Sequence, residues 1–200
     1  MLLEIFDHID LCSEKEVARL LPLVSPERRE EALRYRHTFG QFCCLQSYRM
    51  LVELVGSVSP TLDYTTPRFV FNEFGKPALE GRPDLQFSIS HTKNAIAVGL
   101  SSQPIGVDVE QIKNPSPALI AKTMNQEEQR RIAEAERPDI LFTALWTRKE
   151  AVLKLRGTGI QDELHDVLKE AEKEVVPETH IRADKGYVWS VATYREALDL

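Results

Sequence analysis

Hydrophobic and polar residues alternate through the middle of the chain. Phe87 and Ile89 alternate with Ser88 and Ser90; Ile96, Val98 and Leu100 with Ala95, Ala97 and Gly99; Ile105, Val107 and Val109 with Gly106, Asp108 and Glu110. A period of two over three successive segments predicts a sheet, antiparallel where the connections are short. Shorter strands are expected at residues 2–6 and 69–71, the latter followed by a turn over 72–77. The flanking segments follow helical spacing instead. Ser13-Glu14-Lys15-Glu16 is a capping box that opens a short helix, and Ser25-Pro26 opens another. A longer helix is predicted over residues 41–55, with Phe42, Leu45, Leu51, Val52 and Val55 inward and Gly56 and Pro60 closing it. Later, Asn125 with Glu128 marks a helix start, and a long helix over 139–156 stops at Gly157. Leu164, Val167, Leu168, Ala171 and Val175 predict a further helix, and residues 180–194 a hairpin turning at 184–186. Helices and then strands, twice over, predict an α+β fold of two halves, residues 1–102 and 103–200. Each half is small for an independent domain, so a shared interface is expected.

Composition narrows the function classes. The 200 residues are 42% hydrophobic and 28% charged, the balance of a folded globular chain. A net charge of −6 argues against general nucleic-acid binding, which needs surplus Lys and Arg to displace counterions. No apolar run approaches the roughly 18 residues of a membrane helix, and acids near the N-terminus replace the basic, greasy leader of a signal peptide. Cys12, Cys43 and Cys44 give neither a disulfide framework nor a Cys-x-x-Cys zinc motif. A cytoplasmic, reduced protein is expected.

Four groups of residues could carry chemistry. Asp108 and Glu110, two apart on a strand, leave the same face with Cα atoms roughly 7 Å apart. Paired carboxylates of this kind suit a hard cation such as Mg²⁺, although a solvent-facing strand also carries acids. Trp146, Glu150 and Lys154 share one helix face, so a carboxylate and an ammonium sit one turn apart. The plainer alternative is a surface ion pair over a packed Trp. Ser88, Ser90 and His91 end a strand and could donate to phosphate, but no Gly-x-Ser-x-Gly elbow surrounds either serine. Gly75-Lys76-Pro77 presents a lysine on a tight turn, and Arg28 and Arg29 lie on the helix begun by Ser25.

The order of these pieces is more specific than any one of them. Ser25-Pro26-Glu27-Arg28-Arg29, Phe74-Gly75-Lys76-Pro77, Phe87-Ser88-Ile89-Ser90-His91-Thr92, Pro104-Ile105-Gly106-Val107-Asp108-Val109-Glu110 and Trp146-Thr147-Arg148-Lys149-Glu150-Ala151-Val152-Leu153-Lys154 together resemble the Sfp-type 4′-phosphopantetheinyl transferases, of the holo-(acyl carrier protein) synthase superfamily. The resemblance spans residues 25–160.

That resemblance implies two similar halves about a pseudo-twofold axis with coenzyme A between them. It implies a cytoplasmic, monomeric transferase that moves the 4′-phosphopantetheine arm of coenzyme A to a serine of an apo acyl or peptidyl carrier protein. Asp108, Glu110 and Glu150 would hold Mg²⁺; Glu150, Lys154 and His91 would be catalytic. Arg28, Lys76, Pro77, Ser90, His91, Lys149 and Lys154 would contact coenzyme A, with Arg28, Lys76 and Pro77 toward the adenosine 3′-phosphate and base. Glu31, Cys43 and Cys44 stand where the family places further basic or hydroxyl groups, so weaker 3′-phosphate recognition is expected. Competing readings are a Mg²⁺-dependent pyrophosphate hydrolase using the same acids and a non-catalytic coenzyme A-binding protein. No nucleic-acid or membrane partner is expected.

Overall fold

The computed structural model describes residues 1–60, 67–159 and 164–195. Strand β1 (Leu2–Phe6) is followed by helix α1 (Glu14–Leu20), capped by Ser13 accepting the Glu16 N–H at 3.2 Å. Helix α2 (Pro26–Arg34) opens the same way: Ser25 Oγ accepts the Arg28 N–H, and Pro26 takes a first-turn position where no N–H is needed. Helix α3 (Thr38–Val58) runs beyond the expected 41–55 at both ends. Gly56 does not stop it, since one interior glycine costs only about 1 kcal/mol and the buried face formed by Leu51 and Val55 holds the last turns.

Strands β2 (Phe69–Phe71) and β3 (Pro77–Leu79) pair as a small antiparallel hairpin, Phe69 opposite Leu79. The expected turn therefore ends at Lys76, and Pro77 begins a strand. Three longer strands follow as predicted: β4 (Gln86–His91), β5 (Ile96–Ser101) and β6 (Ile105–Gln111). Helix α4 (Pro117–Thr123), which the apolar spacing did not reveal, precedes α5 (Gln126–Glu134), whose Asn125–Glu128 capping box is complete. Helix α6 (Pro138–Arg156) ends at Gly157, whose φ of 71° is the left-handed conformation that terminates helices.

The helix expected over 164–175 is shortened to α7 (Val167–Ala171). Val175 instead starts β7 (Val175–Arg182), which pairs with β8 (Tyr187–Tyr194) from Val175 opposite Tyr194 to Arg182 opposite Tyr187. Val175 and Val176 are β-branched and pair well on a pleated surface, which overrides the helical spacing.

Two three-stranded antiparallel sheets result, in the orders β1-β5-β4 and β6-β8-β7, so the α+β class is as expected. Strand β5 is buried on both faces. Ile96, Val98 and Leu100 pack with Phe42, Leu45 and Leu51 of α3, while Ala95 and Ala97 meet Val107, Val109 and Val191 of the second sheet. The small residues on that second face let the sheets approach closely. Strand β4 lies alongside β6, where the Val107 N–H donates to Ser88 Oγ at 2.9 Å. The other face of β6, carrying Gly106, Asp108 and Glu110, is covered by α6. Gly106 is what lets the helix sit so close: a Cβ there would overlap the Ala151 carbonyl oxygen and the Leu155 nitrogen. Among the described residues no helix is long and apolar enough to cross a membrane.

Candidate active site

Alternation on β6 aims Asp108 at α6, and helical spacing turns Glu150 and Lys154 back toward it. Asp108 is not a solvent-facing acid; it is 3% exposed. Its Oδ1 accepts from Lys154 Nζ at 2.7 Å and from Ser90 Oγ at 2.8 Å, and Lys154 Nζ also lies 2.8 Å from Ser90 Oγ. Residues from β4, β6 and α6 thus close one polar triangle across the junction of the two sheets. Glu150, 8% exposed, stands beside it. Burial, then the Asp108 charge, push its carboxyl up to about 7, with Glu110 adding and Lys154 opposing. Glu110 is raised as well, by burial and by Asp108, with Trp146 pulling the other way. Asp108 is therefore an electrostatic neighbour of both Glu110 and Glu150.

The donor chemistry can be tested against a metal ion. Among the described residues no three His, Cys, Asp or Glu side chains form a group that could by itself hold one, so the expected three-carboxylate cage is not closed. Asp108 Oδ2 and Glu150 Oε1, however, are buried without any hydrogen-bond partner. Two orphaned carboxylate oxygens carry a large desolvation cost unless a cation or proton meets them. Mg²⁺ commonly uses one or two carboxylates and completes its shell with water and substrate phosphate. The residues fit such a partial site.

Two adjoining hollows lie nearby, the smaller of them walled in part by Lys154 of the triangle. The smaller, about 300 Å³, is lined by Lys76, Pro77, Phe87, Glu150 and Lys154 among others. The larger, about 710 Å³, contains Arg28, Glu31, Arg68 and His91. Pro77, Phe87 and Ile89 belong to both, so the two form one cleft. His91 packs edge-on against Phe39 at 6.4 Å, and desolvation, then the Lys154 charge, lower its pKa. Arg28 lies over the rings of Tyr48 and Phe69, at 4.9 and 5.2 Å from their centroids, and pairs with Glu31 at 3.1 Å.

Two expected ligand contacts are placed differently. Lys76, expected with Arg28, lies in the smaller hollow, where its ammonium donates to the carbonyls of Leu155 (3.1 Å) and Ile105 (3.3 Å). There it satisfies the C-terminal end of α6, where a cation is favoured, and burial lowers its pKa. Lys149 is not in the cleft at all. It is 1% exposed, and its ammonium donates to Glu128 Oε2 at 2.6 Å and to the carbonyls of Thr123, Leu164 and His165. One residue along a helix turns a side chain by about 100°, so the neighbour of Glu150 points inward. Lys149 ties α5 and the segment after α6 to α6 itself. Lys149→Met should cost about 3–5 kcal/mol by stranding the Glu128 charge, read from the urea midpoint. Adding Glu128→Met should recover most of that loss.

Asn72 was not visible from the sequence. Its Oδ1 accepts from the Phe74 and Lys76 N–H groups, and its Nδ2 donates to Gly157 O at 2.8 Å. With Lys76 it clasps the β2–β3 hairpin onto the end of α6. Asx turns can be suspected from an Asn before a turn; the clasp itself spans 85 residues of sequence.

Comparison with known proteins places this geometry in context. The profile of the 4′-phosphopantetheinyl transferase superfamily matches residues 104–196, which include β6 and α6. The chain is similar to the 4′-phosphopantetheinyl transferase Sfp of Bacillus subtilis strain 168, with 31% identity over 150 residues, 74% of this chain and 66% of that protein. It is 36% identical over 96 residues to the 4′-phosphopantetheinyl transferase AcpT of Salmonella typhi, covering 46% of this chain and 50% of AcpT. Against the L-aminoadipate-semialdehyde dehydrogenase-phosphopantetheinyl transferase of Saccharomyces cerevisiae the identity is 27% over 158 residues, 73% of this chain and 56% of that protein. The chain thus spans just under two thirds of the length of the first of these relatives.

Proposed function

Because the chain belongs to the 4′-phosphopantetheinyl transferase superfamily, we propose that it transfers the 4′-phosphopantetheine arm of coenzyme A to a serine of an apo acyl or peptidyl carrier protein. The reaction would depend on Mg²⁺ and release adenosine 3′,5′-bisphosphate. The observation that carries this reading is the Asp108–Ser90–Lys154 triangle beside the partnerless Glu150 oxygen, with Lys154 and Glu150 on the wall of the smaller hollow.

In this proposal the orphaned oxygens of Asp108 and Glu150, with Glu110 beside them, would hold Mg²⁺, which would supply Lewis-acid stabilisation to the pyrophosphate. The serine Oγ attacks the β-phosphorus, the bond to the adenosine bisphosphate breaks, and the serine proton passes to Glu150. Glu150 is the acceptor because a carboxylate beside the metal can take up the serine proton during attack, directly or through water. Lys154 and Ser90 present donors to phosphate oxygens, with Lys76 on the wall of the same hollow. Phosphoryl transfer needs such positioning and charge stabilisation more than covalent help. Arg28, Pro77 and His91 receive the nucleotide end in the larger hollow. The same proposal has the enzyme act in the cytoplasm as a monomer.

A mass spectrum of an apo carrier protein after incubation with coenzyme A and Mg²⁺ tests this directly. The added phosphopantetheine is the expected result; bisphosphate released without any carrier would instead indicate hydrolysis. Lys154→Ala should lower kcat by about a hundredfold while changing coenzyme A binding much less, since its charge matters most in the transition state. His91→Ala should raise KM by about tenfold with kcat less affected, since one ground-state hydrogen bond is lost. Steady-state kinetics of both variants, with coenzyme A titrations, distinguish these roles.

A further inference from the structure

We propose that Glu31 sets the donor specificity of this cleft, so that the enzyme uses coenzyme A and dephospho-coenzyme A at comparable efficiency. The inference rests on the transferase reading and concerns the larger hollow, which receives the nucleoside end. A 3′-phosphate there would be a second charged group on the donor, remote from the reacting pyrophosphate. Its recognition requires cations with free charge.

The larger hollow does not offer them. Arg28 and Arg68 are opposed in its lining by Glu27, Glu31 and Glu80. Every Lys and Arg of the chain lies among the described residues, so no further cation is contributed by the rest of the sequence. Arg68 is exposed to solvent, where its charge is screened. Arg28 is the better placed, with its side chain only 17% exposed, yet its charge is spent. Its Nη1 lies 3.1 Å from Glu31 Oε2 and 3.6 Å from Cys44 Sγ, and its guanidinium carbon lies over two aromatic rings. Glu31 follows Arg28 by three residues on α2, the spacing at which helical side chains meet. A phosphate approaching Arg28 must therefore displace Glu31 or accept its repulsion. The rest of the lining adds no formal positive charge beyond the imidazole of His91: Ser25 Oγ already accepts the Arg28 N–H, Ser47 Oγ donates to the Cys44 carbonyl, and Phe69, Phe71, Phe87 and Ile89 supply apolar and aromatic wall. Stacking of the purine on such walls serves both donors equally, because it does not involve the 3′-phosphate.

The test compares kcat/KM for coenzyme A and dephospho-coenzyme A with one apo carrier protein, in the wild type, Glu31→Gln and Glu31→Lys. Calorimetric titration with adenosine 3′,5′-bisphosphate and with adenosine 5′-monophosphate runs in parallel. The wild-type ratio is expected within about tenfold for both donors and both nucleotides, equivalent to about 1.4 kcal/mol or less. The variants should shift both ratios toward the 3′-phosphate, Glu31→Lys by a further factor of about ten or more. Glu31 is half exposed, so neither change threatens the core. A wild-type preference above tenfold, or ratios unmoved in both variants, overturns the proposal. If neither donor is used, the transferase reading fails, while the nucleotide affinities still decide the role of Glu31.

Discussion

Glu150→Gln is expected to lower transfer by about 10²–10⁴-fold, the range for losing a positioned base, and at the same time to stabilise the metal-free protein above pH 7. The two effects share one cause. Glu150 is buried beside Asp108 and Glu110, and its carboxyl holds its proton up to about 7 instead of the usual 4.5. Below about pH 4.5 the acid is protonated in both folded and unfolded chains and contributes nothing. Between about 4.5 and 7 the unfolded chain releases a proton that the folded protein keeps, so stability falls as pH rises. Above about 7 the full cost of the buried charge is present, on the order of 3 kcal/mol. Glutamine preserves the neutral shape without that charge. Urea unfolding in EDTA at pH 5 and pH 8 should show the variant more stable at pH 8 and little different at pH 5. An active variant, or one with the same stability difference at both pH values, would remove Glu150 from the site.

Gly106→Ala should be more damaging than any other single methyl addition on β6, costing about 3 kcal/mol or more. The backbone is not the reason, because Gly106 is not among the glycines with positive φ. Elsewhere, replacing such a glycine with alanine would be neutral or mildly stabilising through the unfolded state. Here the new methyl would overlap backbone atoms at Ala151 and Leu155, which cannot rotate aside as a side chain can. Helix α6 would have to lift from the strand, and Glu150 would lift with it from Asp108. The expected result is a large drop in melting temperature by circular dichroism, with the proposed transfer activity lost in whatever still folds. A variant as stable as the wild type would show that the strand and helix are farther apart than described here.

The sequence was most informative where local spacing and tertiary placement coincide. The alternation in β5 and β6 survives because their two faces meet different neighbours, α3 or α6 on one side and the other sheet on the opposite side. Asp108, Glu150 and Lys154 were legible because a period of two and a period of 3.6 each bring acids or cations to one face. Lys149 was misplaced for a related reason: adjacency to Glu150 in sequence resembles adjacency in space, but its partner Glu128 lies 21 residues earlier on α5. Val175 continues the helical spacing of Leu164, Val167, Leu168 and Ala171, and only the ladder with β8 assigns it to a strand. Strand β3 has three residues and begins with proline, too little for any periodicity. The Asn72 clasp and the Arg28–Glu31 pairing depend on side-chain partners that spacing alone does not specify. Glu31 was visible only as a departure from a resemblance, and the structure supplies what it touches.

The order β6-β8-β7 has a consequence for how the polypeptide acquires its shape as it is made. Strand β8 is translated after both strands it separates, yet every ladder bond of β6 in that sheet is made to it. At synthesis rates of about 5–20 residues per second, β6 waits several seconds for its partner. During that interval Asp108 has its neighbours from β4 and α6 available but no strand beside it. Contacts of such high sequence separation form slowly, because the intervening chain must first be ordered. Folding of this sheet is therefore tied to the emergence of β8 from the ribosome, and premature termination before β8 would leave β6 with an unpaired edge, exposed to pairing with another chain.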